Sequence, residues 1–275
     1  NVFVSPHSIS LALAMTYAGA AGNTATQMRD VLRFGADHAA THEAFNALDL
    51  ELAIRGDEIV PDDQGNPFEL SVVNAAWGQT GYTFLPGYLD VLALNYGAGI
   101  RLLDFAAQPD PSRLVINDWV ADQSNDRIKD LLPPNSISDL TRLVLTNVIY
   151  FKANWMNQFD KAATQDGVFH RNDGSTVTVP TMHINEDLAY GTAADCQFVA
   201  LPYVGGQVAM YVIVPDAGRF DVVEAALDGP TLGQMIGGAT MAHGKLALPK
   251  FTFEFSSVLN DALAGMGMTD AFDGD

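Results

Sequence analysis

The sequence is poor in cysteine, in basic residues and in long apolar stretches. Cys196 is the only cysteine in 275 residues, so no disulfide can form within the chain and stability must come from packing. Lysine and arginine number 14 against 33 acidic residues, and no basic cluster is available to neutralise phosphates, so we expect no nucleic-acid partner. No apolar run approaches the roughly 20 residues that span a bilayer, so we expect no membrane partner.

The sequence also lacks the motifs of several enzyme and cofactor classes. It contains no Gly-x-Ser-x-Gly nucleophile elbow and no P-loop, and the Gly-Ala-Gly at positions 97–99 has no third glycine of a dinucleotide fingerprint. His38 and His42 stand four residues apart beside Glu43, which is the spacing of two ligands in a zinc site. Because HExxH is absent and Asp37 suggests a solvated first turn, we expect no metal, no cofactor and no catalytic residues.

Helical patterns dominate the first half of the chain. The segment 1–34 predicts a small-residue helix, a break at a Gly-Asn pair and a second helix, with Pro6 fixing the approach and Ser8 as the candidate N-cap. A third helix is predicted over residues 39–54 and a short one over 86–95. A longer amphipathic helix is predicted from Arg113 to Leu132, where two prolines stop it.

Strand patterns dominate the second half. Three regions of strand type follow residue 160, punctuated by Asp-Gly, Gly-Gly and proline, with one helical insertion at Val222 to Ile236. Helices early and strands late favour an α+β fold over regular βαβ alternation. No linker interrupts the chain, so we predict a single domain over residues 1–275.

The segment LVLTNVIYFKANW, residues 143–155, places one amide, Asn147, inside an otherwise apolar run. Such a run predicts a central strand buried on both faces of a large sheet. A buried amide without partners costs a few kcal/mol, so partners must come from elsewhere in the fold. The alternative is a satisfied core asparagine with no functional meaning.

Four segments occur in this order along the chain: NVFVSPHSIS, LTNVIYFKANW, LPYVGGQVAMYVIVP and LPKFTFEF followed by LAGMGMTDAF. Taken together, they resemble the signature segments of the serpin family of protease inhibitors. The resemblance implies an α+β fold with a large central sheet, called A, surrounded by helices and further β-sheets. It also implies that a protease cleaves an exposed reactive loop and is trapped as an acyl-enzyme when that loop inserts into sheet A.

Four residues acquire roles from this resemblance. Asn147 matches the amide of the shutter, where sheet A parts, and Ser5 and Ser8 match the shutter serines beneath the strands, which makes them the expected partners of Asn147. Trp155 matches the aromatic residue of the breach, where the loop first enters. An N-capping role for Ser8 and a packed core role for Trp155 remain compatible with these assignments.

Two positions depart from the family pattern. Asp126 stands where serpins commonly carry glycine near the end of the helix that lies across sheet A, so displacement of that helix is expected to differ in detail. In heparin-activated serpins, the helix that matches Ala39 to Arg55 carries a basic patch. Here it has only Arg55, so we expect no heparin-type activation.

The resemblance leads us to expect a chain that is incomplete at both ends. Most of the family's first helix, the reactive loop and the C-terminal strands are expected to be missing, so no reactive bond is assigned. The expected function of the parent is inhibition of a serine protease, or alternatively a cysteine protease, by a monomeric, extracellular suicide substrate that is not an enzyme. A non-inhibitory carrier or chaperone, a non-functional truncated product and a prokaryotic origin remain open.

Overall fold

The computed structural model describes residues 3–61, 65, 67–252 and 254–272, which fall into two compact units. The first unit contains Asn1–Arg55, Leu70–Phe151 and Glu254–Asp275, and the second contains Gly56–Glu69 and Lys152–Phe253. The single domain over residues 1–275 stays a prediction. Residues 273–275, at which the sequence was expected to stop short of the reactive loop, lie outside the described residues.

Helices and strands follow the order expected of an α+β fold. The helices are α1 (Pro6–Tyr17), α2 (Gly22–Leu32), α3 (His38–Ala53), α4 (Pro86–Tyr96), α5 (Pro109–Gln123), α6 (Phe220–Ala226), α7 (Gly229–Gly238) and α8 (Asn260–Gly265). The strands are β1 (Phe68–Gln79), β2 (Ile100–Leu103), β3 (Leu143–Ala153), β4 (Gln165–His170), β5 (Thr176–Ala193), β6 (Cys196–Pro202), β7 (Ala209–Pro215) and β8 (Thr240–Pro249). None of the helices in the described part of the chain has the length and apolarity that crossing a membrane requires.

The first unit is built on a three-stranded sheet in the order β2-β1-β3, with β1 and β2 parallel. Alternate side chains of β1 and β3 point to opposite faces. On one face Leu143 and Leu145 pack with the buried side chains of α1 and α4, and on the other Val144 and Val148 pack with those of α5. Helices therefore cover the sheet on both faces.

This arrangement confirms the two-faced packing expected of the segment that begins at Leu143, but not its central place. In the described residues β3 lies at the end of the strand order and is paired on one side, by β1. The apolar run reflects helices packed on both faces, and such cover gives an end strand the same composition as a central one.

Two differences from the predicted helix ends concern α1 and α5, the latter of which also begins earlier than predicted, at Pro109. Ser5, not Ser8, caps α1, because Pro6 takes the first helical position and the Ser5 hydroxyl accepts a hydrogen bond from the Ser8 backbone N–H at 3.1 Å. Helix α5 ends at Gln123, well before the prolines, because Asn125 and Asp126 adopt left-handed backbone angles, φ 50° and 61°. Asp126 thus holds a conformation that glycine adopts most easily and that aspartate tolerates better than most residues.

The second unit is built on a five-stranded sheet, in which the order β4-β5-β6-β7 is extended by β8 pairing with β5. Its pairs are antiparallel, as the hairpin signals predict. The core beneath it is apolar and includes Leu188, Val199, Leu201 and Leu248. The predicted helical insertion is present as two helices, α6 and α7, and Asp228 caps the second of them by accepting from Thr231 N–H.

Candidate functional site

An amide pair, Asn74 and Asn147, joins β1 to β3. The Asn147 Nδ2 atom donates to the Asn74 Oδ1 atom at 2.9 Å. Strand alternation places both side chains on the face of the sheet that carries α1 and α4, since Asn147 follows Leu145 by two residues and Asn74 precedes Ala76 by two. The two strands are therefore linked by a side-chain hydrogen bond in addition to their backbone pairing.

Hydrogen bonds also connect Asn74 with α4, and α4 with α3, on that face. Asn74 Nδ2 donates to the backbone carbonyl of Tyr96, the last residue of α4, at 3.2 Å. The Tyr96 hydroxyl is hydrogen-bonded to Nδ1 of His42 on α3. Hydrogen bonds thus join β3 to β1, β1 to α4 and α4 to α3, and two of them involve Tyr96, one at its backbone carbonyl and one at its hydroxyl.

His42 is held as a neutral imidazole. It is 1% exposed, and burial followed by the nearby His38 lowers its pKa to about 4. Burial likewise raises the pKa of the Tyr96 hydroxyl, so this residue stays protonated. The hydrogen bond between the two side chains is therefore one between neutral groups over the physiological pH range.

Four buried side-chain polar atoms in the described part of the chain have no hydrogen-bond partner, and all belong to the first unit. They are His7 Nε2, His42 Nε2, Tyr88 Oη and Asn147 Oδ1. Each such atom costs on the order of 1–3 kcal/mol relative to a satisfied one. The amide pair is therefore incompletely satisfied, because the Asn147 carbonyl oxygen is left without a donor.

The opposite face of the sheet carries a second side-chain link between the same strands. The indole N–H of Trp77 on β1 donates to the Thr146 hydroxyl on β3 at 3.1 Å, and both residues are buried. The Thr146 hydroxyl in turn donates to the Ala75 carbonyl at 3.4 Å. Polar side chains thus connect β1 and β3 on both faces.

The two serines do not supply the partners expected for Asn147. Ser5 and Ser8 lie together in the first turn of α1, where Ser5 is used as the helix cap. In the described residues neither serine bonds to Asn147, whose donor goes to Asn74. The expectation that these serines satisfy the amide is therefore wrong for this structure, and the assignment of Ser5, Ser8 and Asn147 to a shutter stays a prediction.

Trp155 belongs to the second unit. It forms an isolated bridge with Tyr203, and the two rings are stacked with centroids 4.6 Å apart and planes 13° apart. Its indole packs beside Phe159 against the apolar core of the five-stranded sheet. This environment agrees with a packed tryptophan and leaves its breach role a prediction.

The two candidate zinc ligands are used for internal hydrogen bonds. His38 Nε2 donates to the Tyr17 carbonyl at 3.0 Å, and His42 Nδ1 bonds to Tyr96. The residues with described positions contain no group of three or more metal-binding side chains.

Asn74 is the site residue that the sequence analysis missed, although a signal for it exists. Asn74 interrupts the apolar segment SVVNAAWG in the way that Asn147 interrupts LVLTNVIY. The likeness makes Asn74 a candidate partner of Asn147, but only the pairing of β1 with β3 in the fold shows that the two side chains meet.

Comparison with known proteins gives a consistent result. The family model described as "Serpin (serine protease inhibitor)" matches residues 1–275. An uncharacterised serpin-like protein of Thermococcus kodakarensis is 40% identical over 272 residues, which is 99% of this chain and 61% of that protein. The leukocyte elastase inhibitor of Bos taurus is 33% identical over 281 residues, 99% of this chain and 72% of that protein.

Solved structures agree with the sequence relatives. Emu ovalbumin (Dromaius novaehollandiae) superposes with a TM-score of 0.90 at 27% identity, over 99% of this chain and 73% of that one. Cleaved serpin 42Da superposes with a TM-score of 0.90 at 28% identity, over 99% and 71%. The chain spans 61% and 62% of the length of its archaeal serpin-like relatives from Thermococcus kodakarensis and Methanosarcina acetivorans. The chain belongs to the serpin family, and its mixed α+β architecture is the serpin fold.

Proposed function

We propose that the natural protein containing these 275 residues is a suicide-substrate inhibitor of serine proteases. The observation that carries the proposal is the family match over the whole chain, together with its 33% identity to leukocyte elastase inhibitor over 281 residues. The reactive loop, under this proposal, lies outside residues 1–275. A monomeric, extracellular inhibitor, free of heparin-type activation, is part of the same proposal, and a cysteine protease is the alternative target.

The chemistry expected of this inhibitor is acyl transfer that stops at the acyl-enzyme. The protease serine oxygen attacks the carbonyl of the reactive bond, an ester forms, the peptide bond breaks and a proton goes to the departing amine. The cleaved loop then enters the sheet beside β3 before water can hydrolyse the ester. The inhibitor contributes no catalytic group and instead draws on the free energy released when the loop becomes a strand.

The links between β1 and β3 support a shutter role for Asn147 in this process. A hydrogen bond such as that between Asn74 and Asn147 is directional and contributes a modest net free energy, about 1 kcal/mol. When a strand moves, this hydrogen bond can be replaced by one to a new partner with little net change in free energy. The unsatisfied Asn147 Oδ1 atom also provides an acceptor for a donor that arrives with the inserted segment.

The test is formation of a covalent complex. The natural protein, purified with all its residues, is incubated with trypsin-, chymotrypsin- and subtilisin-like proteases and separated in boiling SDS. We expect a band at the summed mass with at least one active protease and none when the catalytic serine of that protease is blocked. Cleavage by every protease without such a band would instead indicate a carrier, a chaperone or a non-functional product.

A further inference from the structure

Arg101 on β2 lies over two tryptophan rings that belong to different elements. Its guanidinium carbon is 5.1 Å from the ring centroid of Trp77 on β1 and 5.3 Å from that of Trp119 on α5. The two rings meet edge to face with centroids 5.6 Å apart. We call Arg101, Trp77 and Trp119 the Arg101 clasp, because one cation contacts both the sheet and the helix that covers it.

The sheet end of the clasp is fixed. The backbone positions of Trp77 and Arg101 are partners in the parallel register of β1 and β2, and Trp77 is 2% exposed. Its indole N–H is bonded to Thr146 on β3. Any movement of Trp77 therefore disturbs all three strands, which leaves α5 as the part of the clasp that can move away.

The other contacts of α5 are of two kinds. Ile116 and Val120 are fully buried in the cluster formed with β1 and β3. Asn117 exchanges two hydrogen bonds of 2.9 Å with the backbone of Leu132, in the segment that leads to β3. These contacts attach α5 to β1 and β3 and to the segment that connects α5 with β3. Arg101 attaches α5 to β2.

Arg101 has no competing ion pair in the part of the chain that the structure describes, in which Arg113 and Arg219 each pair with an aspartate. Arg101 is an exposed residue. Loss of the cation therefore changes the attachment of α5 without opening a cavity in the core. This makes Arg101 a residue at which helix attachment can be altered separately from core packing.

We propose that Arg101 is a positioning residue that sets the rate at which α5 releases the three-stranded sheet, an inference that rests on the proposed inhibitory function. A sheet that takes up another strand changes its twist and the spacing of its surface side chains. Helix α5, packed on Val144 and Val148 of β3, must shift as this happens. The clasp opposes that shift, so it slows insertion of the cleaved loop.

The test uses the natural protein with Arg101→Gln, with Arg101→Lys as the variant that keeps the cation, and with Arg127→Gln as the control. Arg127 lies just beyond α5 and is exposed, and its replacement changes the net charge by the same amount. In the free protein, amide hydrogen exchange in α5 is expected to be about threefold to tenfold faster in Arg101→Gln, intermediate in Arg101→Lys and unchanged in Arg127→Gln.

The second measurement is the rate of loop insertion after mixing with a protease that the wild type traps. We expect Arg101→Gln to insert about threefold to tenfold faster, with Arg101→Lys between it and the wild type. Equal α5 exchange in Arg101→Gln and wild type, an equal change in Arg127→Gln, or faster exchange without faster insertion would each overturn the inference. A wild type that traps no protease would contradict the proposed function instead, while the exchange measurement would still decide whether the clasp holds α5.

Discussion

The two sheets of the molecule are stabilised in different ways. In the three-stranded sheet, β1 and β3 are linked by polar side chains on both faces, Asn74 to Asn147 on one and Trp77 to Thr146 on the other. The core of the five-stranded sheet is apolar, and its described residues include no buried polar side-chain atom without a partner. Its side-chain hydrogen bonds between strands, Tyr190 to Gln197 and His243 to Asp187, lie on the exposed surface and not in the core.

This difference concerns how easily strands can be parted. Separating strands held by apolar contacts exposes surface at a cost of about 25 cal/mol per Å², with nothing gained until they close again. Hydrogen bonds between side chains can instead be exchanged for others. Under the proposed inhibitory function, we therefore expect the three-stranded sheet to open and the five-stranded sheet to stay closed.

The largest effect is expected from a cavity in the five-stranded sheet. Leu201 is 4% exposed, so Leu201→Ala removes well-packed atoms and should lower the free energy of unfolding by about 3–4 kcal/mol. Urea unfolding measures this, with Val214→Ala, at a residue that is 45% exposed, as the control expected to change little. The fraction of protease trapped should stay the same. A large fall in the trapped fraction with correctly folded Leu201→Ala would mean that the five-stranded sheet also takes part in loop insertion.

Acid should weaken the first unit through His42. Its pKa in the folded state is about 4, below the ordinary value of 6.5, so between these values the unfolded chain binds a proton that the folded chain does not. The free energy of unfolding should therefore fall as pH drops from 6.5 to 4, by about 3 kcal/mol in total, and this loss should be absent above pH 6.5.

The matched variant for the acid effect is His42→Gln, which keeps a hydrogen-bonding group near Tyr96 but cannot titrate. Urea midpoints across this pH range should fall less in the variant than in the wild type. Hydrogen exchange at pH 4.5, expressed as protection relative to the intrinsic rate at that pH, should show weaker protection of α3 and α4 in the wild type than in His42→Gln, and equal protection of β6 and β7 in the two proteins. Equal pH dependence of the urea midpoint in both proteins would show that His42 does not cause the loss of stability in acid.

Replacing Asn74 should lower the free energy of unfolding more than replacing Asn147. Asn74→Ala removes the partner of Asn147 Nδ2 and of the Tyr96 carbonyl, so we expect a loss of about 2 kcal/mol. Asn147→Ala removes an atom that is already unsatisfied, so its loss should be nearer about 1 kcal/mol. Unfolding in urea gives both values. A greater loss for Asn147→Ala would show that Asn147 has partners beyond Asn74.

The smallest effect on stability is expected at the hydrogen bond between Trp77 and Thr146, on the other face of the three-stranded sheet. Thr146→Val removes the acceptor of the Trp77 indole N–H and should cost about 1 kcal/mol. In a Trp77→Phe background the N–H is already gone, so the same replacement should cost distinctly less, and a double-mutant cycle measures the difference. Strict additivity of the two replacements would mean that this hydrogen bond contributes nothing to holding the strands.

Much of this fold could be predicted from the sequence, and the failures have local causes. Proline and glycine marked most helix ends, but Ser5 and Ser8 are both suitable caps, and only the position of Pro6 in the first turn decides between them. The end of α5 was missed because Asn125 and Asp126 adopt left-handed angles that their sequence does not demand. Helix breakers other than glycine and proline are weak signals.

The site was predictable in part. Asn147 was found because an amide in an apolar strand is conspicuous, and its partner was missed because Asn74 lies 73 residues away along the chain. The Arg101 clasp has no local sequence signal, since its three members stand on β2, β1 and α5 and meet only through strand register and helix packing. Contacts of this kind require the fold.

Hydrogen exchange in β3, before and after the natural protein reacts with a protease that it traps, tests the central claim most directly. A strand that enters beside β3 gives its backbone new hydrogen-bond partners, so exchange over Leu143–Ala153 should become slower in the covalent complex, while β6 and β7 stay unchanged. A complex that forms with exchange in β3 unaltered would contradict the claim that the three-stranded sheet is the one that opens.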